Sequence, residues 1–96
     1  MPEMLNKESI NGWLRERKGW KRDGQAIGKE FRFPTFRDTV VFVNRVAGLA
    51  DELDHHPDID IRYDTVKLRL SSHDAGGVTE RDLALAQAID HSTSAD

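Results

Sequence analysis

The chain has 96 residues, a net charge of −3 and no cysteine. That length suits one domain spanning residues 1–96 and leaves little room for two. Without thiols, disulfides, thiolate metal ligands and cysteine nucleophiles are excluded. The basic residues are scattered and form no stripe to follow a phosphate backbone, so no nucleic-acid partner is expected.

The N-terminal residues Met1-Pro2-Glu3-Met4-Leu5-Asn6 show no basic region followed by an apolar stretch, so no signal peptide is expected. The longest aliphatic–aromatic run, Val40–Val43, is far too short to cross a bilayer. The expectation is a cytoplasmic protein with no membrane partner. Ile10, Trp13 and Leu14 share a helical face and predict a first helix over Lys7–Arg17, closed by Gly19. Strand-like runs follow at Trp20–Asp23 and Ala26–Phe33, with Asp23-Gly24 as the hairpin signal. Pro34 stops the second strand, and Thr35 with Asp38 forms a capping pattern for a long helix to about Asp54.

That helix carries Phe36, Val40, Val43, Val46, Ala47, Ala50 and Leu53 on one side. Val41, Phe42 and Leu49 fall off the stripe, which suggests either a partner subunit or a wide core face. Ile59, Ile61 and Tyr63 alternate with charged residues, as do Val66, Leu68 and Leu70, giving two amphipathic strands joined tightly at Asp64-Thr65. Asp74-Ala75-Gly76-Gly77 reads as a loop. Thr79-Glu80-Arg81-Asp82 opens a last helix with Leu83, Leu85, Ala86 and Ile89 on its apolar side. The tail from His91 to Asp96 is polar and is expected to fray. The order α-β-β-α-β-β-α predicts an α+β two-layer sandwich, a four-stranded antiparallel sheet with helices packed on one face.

Three of the four histidines lie in the tract between residues 55 and 73. Histidine is the side chain whose ordinary pKa puts its proton in play near neutrality. His55 and His56 stand where a long helix ends, and the dipole there favours the protonated ring. The plain alternative is that one caps the helix and the other is solvated. His73, placed at the end of the fourth strand, has the parity of a residue pointing away from the core. It could equally be an ordinary surface histidine. Asp82, three residues after Thr79, is a natural capping-box acid and could also orient a histidine ring, since a carboxylate accepts several hydrogen bonds. Adjacent histidines seldom reach one ion together and no H-x-x-x-H or H-x-H is present, so no metal site is expected. Nor is there a G-x-S-x-G elbow or a glycine-rich phosphate loop.

The combination Asp51-x-x-x-His55-His56-Pro57, then Tyr63, His73 and Asp82, closely resembles the pterin-4a-carbinolamine dehydratase family. The resemblance implies a hydro-lyase that converts 4a-hydroxytetrahydropterin to quinonoid dihydropterin and water, recycling the pterin of aromatic amino acid hydroxylases. It implies no metal and no cofactor of its own. Catalytic roles would fall on His55, His56, His73 and Asp82, and pterin contacts on Asp51, His55, His56, Pro57, Ser72, His73, Asp74 and Ala75. Asp51 departs from the glutamate found in many members and is one methylene shorter. The resemblance also implies a homodimer or homotetramer, built through edge strands and the long helix, and a hydroxylase in the same pathway. Degenerate members of the fold are non-catalytic interaction proteins, transcriptional co-regulators or assembly chaperones, and tend to lose the histidines. This chain keeps them.

Overall fold

The computed structural model describes residues 3–93. It comprises α1 (Lys7–Arg15), β1 (Lys21–Asp23), β2 (Ala26–Arg32), α2 (Phe36–Leu53), β3 (Asp58–Arg62), β4 (Thr65–Leu70) and α3 (Glu80–Thr93). The four strands form one antiparallel sheet in the order β1-β2-β4-β3. The predicted architecture is the one observed, with helices layered on one face of the sheet.

Local chemistry sets the element boundaries. Asn6 caps α1 by accepting from the Ser9 N–H at 2.8 Å, and Thr35 caps α2 by accepting from the Asp38 N–H at 3.0 Å. The first hairpin turns at Gly24-Gln25, one residue later than the Asp23-Gly24 signal. Gly24 takes the left-handed angle, φ 63°, that such a turn requires. In the second hairpin the left-handed residue is Tyr63, φ 54°, whose ring stacks on Phe36 at 6.4 Å between centroids.

Ile27, Val66, Leu68 and Leu70 from the sheet pack against Phe42, Val46, Leu85, Ala86 and Ile89 from the helices. Burial of each Val, Leu, Ile or Phe side chain among them stabilises the fold by about 1.5–3 kcal/mol. Trp20 lies just before β1 rather than in it. It is buried, and its Nε1–H donates to Asp90 of α3 at 2.8 Å.

Two details of the predicted core differ. The inward side of α2 is Thr39, Phe42, Val46 and Ala50, with Leu49 and Val43 partly covered. Phe42, 2% exposed, and Leu49 therefore belong to the core, not to an outer patch; of the three off-stripe residues only Val41 is exposed. The stripe is rotated because Thr39 can be buried: its Oγ1 donates to the Thr35 carbonyl at 2.9 Å, leaving its methyl to pack inward. In β3 the apolar alternation is real, since Ile59 and Ile61 stand opposite Leu68 and Val66, but every residue of this edge strand is exposed.

Candidate active site

α2 ends in a Schellman motif that fixes the backbone of His55. The Asp54 N–H donates to the Asp51 carbonyl at 3.2 Å and the His55 N–H to the Ala50 carbonyl at 3.0 Å. Asp54 supplies the left-handed residue, φ 51°. A glycine adopts that angle without the Cβ penalty, so Asp54→Gly should raise stability by about 0.5–1 kcal/mol, a Tm increase of a few degrees. An unchanged or lower melting temperature would show that the aspartate side chain itself supports the turn.

The chain reverses at Asp54, and His55 enters the interior at 9% exposure. It meets Asp82, which is 0% exposed, with 2.5 Å between His55 Nε2 and Asp82 Oδ1. Asp82 lies in the first turn of α3, where the positive end of the helix dipole faces its carboxylate, while His55 stands at the negative end of α2. The second oxygen, Oδ2, accepts from the Thr79 N–H at 2.8 Å and from Ser72 Oγ at 3.0 Å. The Thr79 bond is the acidic half of a capping box. Asp82 thus does both things its position in the sequence suggested: it caps α3 and holds a histidine.

Ser72 is brought to this carboxylate by the turn after β4. The strand stops at Leu70, and Ser72 pairs with Gly77 in an isolated bridge that closes residues 73–76 into a tight loop. The Ser72 carbonyl accepts from the N–H groups of Ala75 and Gly76, each at 3.0 Å, and Gly76 takes φ 79°. His73 therefore sits in this turn and not at a strand end. Its ring is exposed and, among the described residues, makes no hydrogen bond, while its backbone is one residue from the group that holds Asp82. His56 points outward, with Nε2 at 2.9 Å from Asp51 Oδ1; both side chains are well exposed. The shorter acid at position 51 still reaches its histidine. Pro57 is half-buried between His56 and β3.

Asp74 anchors the loop to α3. One Arg81 Nη2 lies 2.9 Å from each of its carboxylate oxygens. The hydrogen bond from Arg81 holds the Asp74 carboxyl below its ordinary value of 3.8. A depressed carboxylate pKa in the folded state gives a contribution to stability that is present above 3.8 and lost as pH falls through the lower, folded-state value. Arg81→Met should move the Asp74 titration midpoint back up toward 3.8 in an NMR pH series, and an unmoved midpoint would contradict the pairing.

Ser72 and Thr79 were the partners that sequence reasoning missed as a connected pair, although the T-x-x-D spacing indicated that Asp82 would turn back toward Thr79. Among the described residues, no three His, Asp or Glu side chains are gathered closely enough to hold a metal ion. Surface concavities of about 600, 300 and 500 Å³ are lined by other residues, the second of them bordering the site loop at Gly77.

Residues 3–92 match the profile of the family described as Pterin 4 alpha carbinolamine dehydratase. A protein of Thermomicrobium roseum, provisionally named a pterin-4-alpha-carbinolamine dehydratase, is 51% identical over 85 residues, covering 88% of this chain and 91% of that protein. A provisionally named counterpart from Roseiflexus castenholzii is 48% identical over 90 residues, covering 94% and 97%. Among solved structures, a transcriptional coactivator/pterin dehydratase from Brucella melitensis superposes with a TM-score of 0.88 at 32% identity, over 92% of this chain and 96% of that one. A pterin dehydratase-like protein described as a RuBisCO assembly factor in the alpha-carboxysome gives a TM-score of 0.66 at 25% identity, over 77% and 88%. With the profile running almost from end to end and the histidine–aspartate arrangement in place beneath it, the chain belongs to the pterin-4-alpha-carbinolamine dehydratase family.

Proposed function

We propose that this protein dehydrates 4a-hydroxytetrahydropterins, in the cytoplasm, as part of the recycling of the pterin used by aromatic amino acid hydroxylases. The observation that carries this reading is the buried His55–Asp82 pair, with His56 next to it in the chain and His73 one residue from Ser72, whose hydroxyl lies against Asp82. The reaction needs only proton transfers. A proton is delivered to the 4a-hydroxyl, the N5 lone pair expels it as water, and the N5 proton is then removed to give the quinonoid product. A pair of positioned imidazoles can meet both needs, and such help typically contributes about 10²–10⁴-fold.

The hydrogen bonds assign an atom to His55. An ionised Asp82 can only accept, so the Nε2 nitrogen facing it carries the proton. Nδ1 is then the nitrogen left for the substrate. In this reading His55 and His73 form the acid–base pair, and His56, steadied by Asp51, orients the ring. The pterin contacts are drawn from Asp51, the His55–Pro57 segment and the turn Ser72, His73, Asp74 and Ala75. Addition of chemically generated 4a-hydroxytetrahydropterin should cause an ultraviolet absorbance change well above the buffer rate; decay at the buffer rate would overturn the reading.

A second reading is favoured by a specific observation. Phe36, Val41, Ile59, Ile61 and Tyr63 are exposed, the last at 70%, and the solved neighbours include a coactivator and an assembly factor. A non-catalytic interaction role would use this surface. The same apolar residues on α2 and the β3 edge suit self-association to a dimer or tetramer, and a monomer mass by light scattering at micromolar concentration would contradict that assembly.

A further inference from the structure

We propose that Ser72 is a positioning residue for the His55–Asp82 pair, acting through a one-way relay of hydroxyl groups. The inference rests on the dehydratase reading for its catalytic consequence, and on geometry for the relay itself. Ser72 is 1% exposed, and its Oγ lies 3.0 Å from Asp82 Oδ2 and 2.8 Å from Thr79 Oγ1. Thr79 Oγ1 also accepts from the Arg81 N–H at 3.2 Å.

Each hydroxyl has one proton to give. If Ser72 gave its proton to Thr79, its lone pair would face the lone pairs of an ionised carboxylate at 3.0 Å, with no hydrogen between them. The orientation that satisfies every atom runs from the Arg81 N–H to Thr79 Oγ1, from Thr79 to Ser72, and from Ser72 to Asp82. Asp82 Oδ2 then has two donors, the Ser72 hydroxyl and the Thr79 N–H, and both oxygens are held in one plane with Oδ1 turned to His55. The one proton of the Ser72 hydroxyl is therefore committed to Asp82, and at 1% exposure the oxygen is closed off from a ligand. Any contribution that Ser72 makes to binding comes from its main chain.

The relay also ties the site loop to the dyad. Residue 72 opens the turn that carries His73, so the same serine fixes Asp82 with its side chain and the His73 turn with its carbonyl. Loss of the Ser72 hydroxyl should loosen the His55–Asp82 half, while the main-chain carbonyl that closes the His73 turn stays in place, so turnover should be affected more than binding.

The test compares Ser72→Ala with Ser72→Thr, using dehydration kinetics and the ¹⁵N-detected imidazole signals of His55. Ser72→Ala should lower kcat at least about tenfold with KM changed less than about twofold. It should also shift or broaden the His55 Nε2 resonance, and Ser72→Thr, which restores the hydroxyl, should recover both. A raised KM with unchanged kcat would mean that the hydroxyl meets the substrate, which overturns the proposal. An unaltered His55 spectrum in Ser72→Ala would overturn it whatever the kinetics. Should Ser72→Ala fail to fold, Thr79→Val against Thr79→Ser reads the same relay one step further back. If the wild-type chain lacks dehydratase activity, the dehydratase reading fails, while the imidazole spectrum still decides whether Ser72 holds the pair.

Discussion

His55→Ala and His73→Ala should each slow dehydration by about 10²–10⁴-fold, the range expected when a positioned general acid or base is removed. The two variants differ in what else they disturb. The His73 ring is exposed and outside the hydrogen-bonded network, so its loss should leave stability within about 0.5 kcal/mol. A large rate defect in His73→Ala with an unchanged melting temperature would therefore report chemistry alone. His55 is buried against Asp82, and truncating it leaves a carboxylate oxygen without its donor in a water-poor site. That should cost about 1–3 kcal/mol in addition to the rate. The comparison needs both a kinetic and a thermal measurement. If neither variant loses even tenfold in rate, the acid–base assignment is wrong. If only His55→Ala does, the partner across the substrate must be sought elsewhere, with His56 as the next histidine in the motif.

The sequence was most legible where one physical signal acted alone. The period-two alternation of β3 and β4 and the cap at Thr35 lie at the start or centre of their elements, and those elements are present in order. Errors arose where two signals competed. Thr39 counts as polar in any hydropathy pattern, yet its hydroxyl is satisfied by its own helix and its methyl faces the core. That turned the inferred stripe away from Phe42. Trp20 has strand propensity but lies just outside β1, where its indole N–H reaches Asp90 across 70 positions of sequence. Such a contact has no local signature.

The site shows the same division. His55 and Asp82 could be singled out, because one stands at a helix end before a proline and the other at a capping position. Their meeting depends on how α2 and α3 pack, and the chain itself offered only the resemblance as a guide to it. Ser72 stood in the resemblance as a substrate contact. Nothing in a run of small polar residues shows which hydroxyl will be buried, and the bridge between Ser72 and Gly77 decides it. A strand end at His73 extends β4 three residues too far; the chain leaves the strand after Leu70 and closes its loop at Ser72.

Asp82→Asn and Asp82→Ala should separate the catalytic and structural duties of the buried carboxylate. Alanine removes an acceptor from three groups at once: the Thr79 N–H, the Ser72 hydroxyl and the His55 ring. Each buried donor left without a partner costs about 1–3 kcal/mol, less where water can enter, so a combined loss of about 3–5 kcal/mol is expected. Against a typical total of about 5–15 kcal/mol, that loss should lower the melting temperature sharply. Asparagine keeps the volume and one good acceptor. Its carbonyl oxygen can serve Thr79 and Ser72, but its NH₂ group must then face His55 Nε2, which can no longer donate. The neutral ring is forced into the other tautomer, with its proton on Nδ1, the atom the substrate needs as an acceptor. Asp82→Asn should therefore fold with a modest stability loss and lose about 10²–10⁴-fold in kcat, the penalty of a correctly placed histidine in the wrong tautomer. A folded Asp82→Asn protein that turns over at the wild-type rate would show that the carboxylate serves the helix alone, and that the proton chemistry belongs to His56 and His73 without it.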